Sequence, residues 1–495
     1  MSKLHALARN DFRAYWRSKA QAGARSIALN ATTDSASDNK PAAHCHLGVA
    51  HLSAWKVLVS LVRPALAESR DDRMLADAAL AKARRKLIPF LFLLYIVAYL
   101  DRINVGFASL QMNREVGLSE SVFGLGAGLF FLGYSIFEVP SNLILARVGA
   151  RIWIARIMIS WGIAAMAMVA VRGPASFFTI RFILGAAEAG FFPGVILYLT
   201  YWFPAREQAR AVALFMTATA LAGIIAGPVS GTLLGMHGFA GLSGWQWLFL
   251  LEGMPAVILG IGVAVYLPNG PADAEWLEAG ERAALLARLD AENGLAASGK
   301  HSDLAQAIAN PAVWLFSIVY FGIVFGLYGI TFWLPQMIKG FGGHSDFAVG
   351  MLSVIPFFGA ALSMVLVGRA SDLSGERRWH CAVPAMVGGA GLIFASMADS
   401  PFLSLLAISI AASGIWGTFG PFWAMPSRLL TGTAAAGGIA LINSLGNLGG
   451  FAGPYIVGAI KQTTHSFALG MLVMAASVTA AGLLALALPI TGETD

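Results

Sequence analysis

The sequence predicts an all-α integral membrane protein with twelve transmembrane helices in two pseudo-symmetric halves of six helices each. Three observations predict this fold: the composition, the number of long apolar runs, and a repeat at a fixed spacing. The chain of 495 residues is 57% hydrophobic and 12% charged, with a mean hydropathy of +0.69. Soluble domains carry about 25% charged residues, so most of this chain is expected to lie in lipid.

The apolar runs give the number of spans. A membrane-spanning helix needs about 20 mostly apolar residues. Twelve segments meet this requirement: 87–108, 121–145, 152–171, 176–202, 210–235, 247–267, 311–336, 347–368, 380–397, 402–427, 434–460 and 466–490.

The basic residues of the short loops give the orientation. The loops on one side carry thirteen Lys and Arg, among them Lys82, Arg147 and Arg369, whereas those on the other side carry four. Because basic loops stay inside, we expect both termini in the cytoplasm. The net charge of +6 fits loops that face anionic lipid, and we do not expect binding to nucleic acid.

The segments outside the spans define four predicted regions. Residues 1–73 lack a periodic pattern and are expected to form a disordered extension, which transport does not require and which ends where Met74 offers a natural start. The N-terminal half is 74–267, a cytoplasmic linker with an amphipathic helix is 268–310, and the C-terminal half is 311–495. The sequence HCH at 44–46 is not expected to bind metal, because adjacent side chains rarely converge on one ion.

The repeat appears in two places at one offset. The loop after span two, NLILARVGAR, has Ala146 where the loop after span eight, GRASDLSGERR, has Asp372, which is 226 residues later. The Gly-Pro pairs of spans five and eleven, which end at Pro228 and Pro454, are also separated by 226 residues. Duplicated halves of this kind are typical of secondary transporters, whose substrate binds between the halves.

Four ionisable residues interrupt the apolar spans of the first half. Asp101 and Arg102 lie in span one, and Arg181 and Glu188 lie on one face of span four. The offset of 226 takes these positions to uncharged residues in the second half: Leu327, Tyr328, Ala407 and Gly414. Ion pairs that only hold helices together are poor stabilisers, whereas charges inside a membrane usually mark substrate or proton pathways. We therefore interpret the four as functional.

These residue types suit proton-dependent binding of an anion. An ionised acid holds its Arg partner, and protonation of the acid frees the planar guanidinium to bind a carboxylate in two-point fashion. Asp101 and Glu188 are thus the candidate proton carriers, and Arg102 and Arg181 the candidate substrate ligands. The sequence lacks HExxH, GxSxG and GxxxxGK[ST], so we expect neither an enzyme nor a cofactor or metal site.

Further polar and aromatic residues complete the candidate site. Tyr99, Tyr134, Asn443 and Asn447 can hydrogen-bond a ligand, and Trp416 can line an aromatic wall. Packing and helix-to-helix hydrogen bonds remain alternative interpretations of these residues. For Glu138 of span two we favour a gate or a packing partner over a place in the central site.

The motifs resemble a known family. GRASDLSGERR resembles the loop signature of the major facilitator superfamily. YLDRINVGFA, LGYSIFEVPSNLILARVGAR, RFILGAAEAGFFPGVILYLTYWFP and GIALINSLGNLGGFAGPY resemble its anion:cation symporters, and most of all the permeases for tartrate, phthalate and hydroxyphenylacetate. The resemblance implies that the matching acids carry protons and that the matching arginines hold substrate.

The same resemblance implies a gating role for the two repeated loops. Its motif residues are Arg147, Gly149, Arg151, Asp372, Gly375 and Arg377. The first loop departs from the superfamily pattern, because Ala146 replaces the acidic residue. A charge-relay gate is therefore in doubt in the first half.

Together these features predict a monomeric, proton-coupled symporter of a small organic carboxylate in the bacterial inner membrane, working by alternating access. Its partners are the anion, protons and the lipid bilayer. An anion exchanger of the same fold is the first alternative. A membrane-embedded sensor or enzyme is the second.

Overall fold

The computed structural model describes residues 70–297, 308–426 and 432–489. The expected N-terminal extension lies outside these residues, except that Arg70–Arg73 already form the first turn of a long helix. Within the described ranges the regular structure is entirely helical, which confirms the predicted fold class.

Fifteen α-helices follow one another along the described chain. They are α1 Arg70–Val116, α2 Glu120–Val148, α3 Ala150–Ala167, α4 Pro174–Glu188, α5 Phe191–Thr200, α6 Ala205–Leu234, α7 Gly244–Tyr266, α8 Ala279–Ala297, α9 Pro311–Lys339, α10 Asp346–Ser374, α11 Arg378–Met397, α12 Pro401–Gly417, α13 Phe419–Ala424, α14 Gly432–Thr464 and α15 Ala468–Ala485. Short 3₁₀ turns lie at Met168–Ala170, Phe239–Gly241 and Pro271–Asp273.

Eleven helical stretches in the described residues are long and apolar enough to cross a membrane. The remaining predicted span, 434–460, falls within α14, which is continuous over 33 residues. This helix is not one of the eleven, and it is rich in glycine and asparagine. Such residues suit a helix that packs against other helices rather than against lipid.

Two predicted spans are broken into two helices each. Span four divides into α4 and α5 at Gly190, which has a left-handed backbone with φ of +86°. Span ten divides into α12 and α13 at Thr418. Helix α1, by contrast, runs well beyond the predicted first span. Its 47 residues correspond to about 70 Å, so its basic N-terminal turns extend outside a membrane of about 30 Å.

The two halves meet along two seams that the repeat relates to each other. In one seam α2 packs on α14, and in the other α10 packs on α6. Gly124 of α2 lies against the carbonyl of Pro454, and Gly350 of α10 lies against the carbonyl of Gly227. Gly124 and Gly350 are themselves 226 residues apart. The glycines of the repeat therefore allow close backbone contact between halves.

Polar side chains tie the halves together at the end of the bundle opposite the basic loops. Gln111 of α1 donates to Asp346 at 2.8 Å, and Gln336 of α9 donates to Ser109 at 2.9 Å. Lys461 of α14 pairs with Glu120 of α2 at 2.9 Å. We call this set of contacts the closed end.

The predicted linker contains an amphipathic helix, α8, that packs on the N-terminal turns of α1. Lys82 lies 2.7 Å from Glu281, and Arg288 lies 2.7 Å from Asp77. Glu281 is buried. The hydrogen bond from Lys82 holds the pKa of Glu281 below its usual value.

Candidate substrate and proton site

A cavity lies between the halves, and its unfilled space of about 620 Å³ includes the solvent at its open side. Both halves contribute to its wall, which is formed by Tyr95, Tyr99, Arg102, Tyr134, Phe192, Met216, Thr219, Tyr320, Val324, Leu327, Tyr328, Met364, Trp416, Phe419, Trp423, Asn443 and Asn447. Arg102 is the one charged residue in this described wall, which is otherwise aromatic, apolar or neutral.

The structure brings six of the seven predicted substrate ligands to this cavity. Tyr99, Arg102 and Tyr134 line it from the N-terminal half, whereas Trp416, Asn443 and Asn447 line it from the C-terminal half. The seventh, Arg181, is not part of its wall. Asn443 also donates to Glu138 at 2.7 Å, so its amide joins the helices as well as facing the cavity.

Arg102 has two polar partners on different sides. Its Nη2 donates to Glu188 in a buried ion pair, and its Nη1 donates to the hydroxyl of Tyr328 at 3.2 Å. The guanidinium also lies over the rings of Phe130 and Tyr134, at 5.4 and 5.3 Å from their centroids. This cation is therefore held by an acid of its own half and by a neutral hydroxyl of the other half.

The break in span four positions Glu188. Helix α4 ends at this residue, and Gly190 then turns the chain through a left-handed conformation that favours glycine. A Cβ atom at position 190 would overlap the side chain of Ser141 in α2. Glycine is thus required both for the turn and for the close contact between α2 and the start of α5.

Asp101 points away from the cavity. Its Oδ2 accepts a 2.8 Å hydrogen bond from Nε1 of Trp161 in α3, and its Oδ1 is buried without a partner. The structure therefore pairs Arg102 with Glu188, whereas Asp101 is bonded to Trp161 and not to an arginine. Adjacent residues on a helix point about 100° apart, so Asp101 and Arg102 serve different neighbours.

Arg181 is fully buried behind the cavity wall. Its Nη2 donates to the carbonyl of Ala127 at 3.1 Å and its Nε to that of Gly126 at 3.4 Å. Its guanidinium lies over the ring of Phe130, at 5.0 Å from the centroid, as that of Arg102 does. The Nη1 atom has no hydrogen-bond partner. Arg181 therefore contributes positive charge close to Glu188 while its fork faces α2.

Glu138 of α2 bridges the halves below the cavity. It accepts hydrogen bonds from Asn443 at 2.7 Å and from Ser444 at 3.0 Å, both in α14. This geometry matches the gate or packing role favoured from the sequence, since the carboxylate joins two helices that belong to different halves.

The repeated loops differ in their contacts. In the second loop Arg377 pairs with Asp372 at 2.7 Å, and Gly375 ends α10 with φ of +73°. In the first loop Gly149 has φ of +99°, and the backbone of Arg151 donates to the side chain of Asn269 at 3.1 Å. Arg147 is exposed. Because Ala146 offers no carboxylate, the charge pair of the second loop has no counterpart at this position.

The sequence reasoning missed several residues that the fold brings into or near the site. Tyr95 lies seven residues before Arg102, which is two helical turns, so its place on the same face of α1 was foreseeable. Tyr328 is the repeat counterpart of Arg102. Glu252 in LLEGMPA is a buried acid within a span, and the rule that singled out Asp101 also applies to it. Tyr320 and Phe419 carried no local signal.

Comparison with known proteins agrees with this architecture. Residues 91–454 match the family model of the Major Facilitator Superfamily. A crystal structure of a bacterial homolog of the human lysosomal transporter Spinster, in an inward-facing and unoccupied conformation, superposes with a TM-score of 0.68 at 17% identity. The alignment covers 82% of this chain and 96% of that one.

Two relatives come from bacteria. The chain is 49% identical to a protein of Agrobacterium vitis named "Putative tartrate transporter", over 85% of this chain and 97% of that protein. It is 42% identical to a "Quinolone resistance transporter" of Acinetobacter baumannii, over 78% of this chain and 89% of that protein. The resemblance to the tartrate permeases is confirmed, and the chain is a multi-pass membrane transporter of the major facilitator superfamily.

Proposed function

We propose that this transporter moves a small hydroxylated carboxylate together with protons into the bacterial cytoplasm. The observation that carries the proposal is the buried pair of Arg102 and Glu188 at the wall of an otherwise uncharged cavity. A carboxylate entering the cavity competes with Glu188 for the same guanidinium. Protonation of Glu188 removes the competitor, so proton binding favours anion binding and anion release favours proton loss.

The neutral part of the wall supports a substrate with hydroxyl groups. Five tyrosines line the cavity: Tyr95, Tyr99, Tyr134, Tyr320 and Tyr328. Their hydroxyls, with the amides of Asn443 and Asn447, can donate and accept hydrogen bonds. The name of the Agrobacterium vitis relative points to tartrate, a dicarboxylate with two hydroxyls.

The charge balance explains why protons are needed. Bringing one negative charge into a cell at an inside potential of −100 mV costs about 2.3 kcal/mol. Asp101 and Glu188 supply two buried carboxyls that can carry protons. Two protons neutralise a dicarboxylate or give a monocarboxylate a net inward driving force.

We also propose that the protein lies in the bacterial inner membrane with its closed end toward the periplasm, since the basic loops lie at the other end. We propose that it works as a monomer, because the two halves of a single chain supply both sides of the described cavity wall.

Proteoliposomes test this proposal directly. An acidic exterior is expected to drive accumulation of labelled tartrate above the external concentration, with matching entry of protons. Succinate, which lacks the hydroxyls, is expected to compete at least tenfold less well. An anion exchanger instead swaps labelled for unlabelled tartrate but does not accumulate it from a pH gradient. That result would overturn proton coupling while leaving the site in place.

A further inference from the structure

A second group of buried polar residues lies within the N-terminal half, outside the cavity wall. Asp101 and Asn104 of α1, Glu252 of α7 and Ser230 of α6 are each at most 5% exposed. None of them lines the cavity. Apolar helix interfaces do not require these groups, and buried polar side chains in a membrane are costly.

The members of this group lie on helices that pack together, since α1 contacts both α6 and α7. Asp101 and Asn104 are three residues apart and therefore share a face of α1. Asn104 and Asp101 both lie near enough to Glu252 for an electrostatic interaction. Ser230 donates to Oε1 of Glu252 at 2.8 Å. Trp161 donates to Asp101. We call Trp161, Asp101, Asn104, Glu252 and Ser230 the row.

The row contains polar atoms with unused hydrogen-bonding capacity. Oδ1 of Asp101, both polar atoms of the Asn104 amide and Oε2 of Glu252 are buried without hydrogen-bond partners. An asparagine between two carboxyl groups can donate to the one that is ionised and accept from the one that is protonated. Such a pair holds one shared proton more readily than two negative charges.

We propose that Glu252 passes the transported proton to Asp101, with Asn104 as the positioning residue between them, by a route separate from the substrate cavity. This proposal rests on the proton-coupled function proposed above. In the step, the proton leaves the carboxyl oxygen of Glu252 and binds Oδ1 of Asp101. Glu252 becomes a carboxylate and later takes a replacement proton from water.

Ser230 lies beside the seam through which we expect water to reach the row. This residue lies between Gly227 and Gly231 of α6, which contact Gly350 and Phe347 of α10 across the seam between halves. Alternating access separates the halves at one end at a time. When the closed end opens, this seam loosens beside Ser230 and Glu252. The groups facing the two acids are Trp161, Asn104, Ser230 and, on the cavity side, Glu188.

Three variants in proteoliposomes test the route. Glu252→Gln keeps an acceptor for Ser230 but cannot release a proton. Asn104→Leu removes the link, and because it also removes unpaired polar atoms it is expected to fold. Both variants should exchange labelled for unlabelled tartrate within twofold of wild type, whereas accumulation driven by a pH gradient falls at least tenfold. Ser230→Ala keeps the acid and should retain both activities.

Each outcome either supports or contradicts the proposed proton route. Normal pH-driven accumulation by Asn104→Leu, or by a folded Glu252→Gln, removes the route. If exchange and accumulation fall together, the row only stabilises the helices. A larger loss of accumulation in Ser230→Ala than in Glu252→Gln leads to the same conclusion. If Glu252→Gln does not fold, Asn104→Leu decides alone. Wild-type protein that fails to accumulate tartrate at all contradicts the proposed function, which is a different result from the loss of coupling in the variants alone.

Discussion

Arg102 is bonded to Glu188, which lies 86 residues away, and not to its sequence neighbour Asp101. The pair joins α1 to the last residue of α4, at the wall of the cavity. The two acids of the first half therefore have separate environments. Glu188 holds a cation at the cavity wall, whereas Asp101 lies behind the wall beside Trp161.

Glu188→Gln tests the role of this pair. Glutamine is neutral and of similar size, so it mimics the protonated acid and leaves Arg102 available. We expect tartrate binding and counterflow to persist, because the loaded carrier can reorient, and pH-driven accumulation to be lost, because no proton can be released. Full accumulation by the variant in the same proteoliposomes would remove Glu188 as a proton carrier.

The two arginines can be distinguished by the same conservative change. Lysine keeps the charge but loses the planar fork. Arg102→Lys should weaken tartrate binding at least tenfold, or by about 1.4 kcal/mol. Arg181→Lys should weaken binding less and lower the melting temperature instead, because its Nε and Nη2 atoms donate to carbonyls of α2. Titration calorimetry that gives equal losses for both would place Arg181 in the binding site too.

Tyr328→Phe removes a hydroxyl from the cavity while keeping the ring. The hydroxyl accepts from Arg102 at 3.2 Å and is positioned to contact a ligand bound there. Loss of one such hydrogen bond is worth about 1 kcal/mol, so tartrate affinity should fall about fivefold. Unchanged affinity for tartrate in the variant contradicts this placement of the substrate.

The closed end can be tested by charge reversal. Glu120→Lys places two cations together, since Lys461 is the partner of Glu120 at 2.9 Å. We expect a several-fold fall in uptake because this end no longer closes well. The double variant Glu120→Lys with Lys461→Glu restores opposite charges and should recover most of the activity, as a double-mutant cycle can measure. Additive losses would show that the two residues act independently.

The linker contact predicts a pH-dependent stability. The pKa of Glu281 is lowered by its hydrogen bond from Lys82, so its contribution is present above the unfolded value of about 4.3 and is lost as the pH falls through the folded value. At pH 7 Glu281→Gln should melt at a lower temperature than wild type. This difference should shrink as the pH is lowered toward 3.

Glu278→Gln is the matched control for the linker contact. Its side chain is 79% exposed and lies 3.5 Å from the same lysine, and exposed pairs contribute little. We expect no change in melting temperature at either pH. A gap between Glu281→Gln and wild type that persists at low pH would indicate lost packing and not a lost ion pair.

The sequence predicted the helices and six residues of the cavity wall because these depend on local patterns. Apolar runs of membrane length identified the spans, and the repeat identified the two halves between which the cavity lies. The sequence did not predict which side chains pair with each other inside the site. Which acid meets Arg102 depends on the break at Gly190, a left-handed turn where a Cβ atom would overlap Ser141 of another helix. Aromatic residues such as Phe419 reach the cavity only through the tertiary arrangement of α12 and α13.

The bond between Arg102 and Tyr328 joins two residues that the repeat relates, since they are 226 positions apart. Suppose that the carrier changes between its two open states because each half adopts the conformation of the other. Arg102 and Tyr328 are each other's repeat counterparts, so the contact between them is the same in both states. Other contacts between the halves, including those of the closed end, break and are replaced by contacts between the repeat counterparts of the same residues. In the proposed transport cycle Arg102 and Tyr328 therefore mark a stationary point. By this proposal an anion bound there hardly moves while its exits alternate around it.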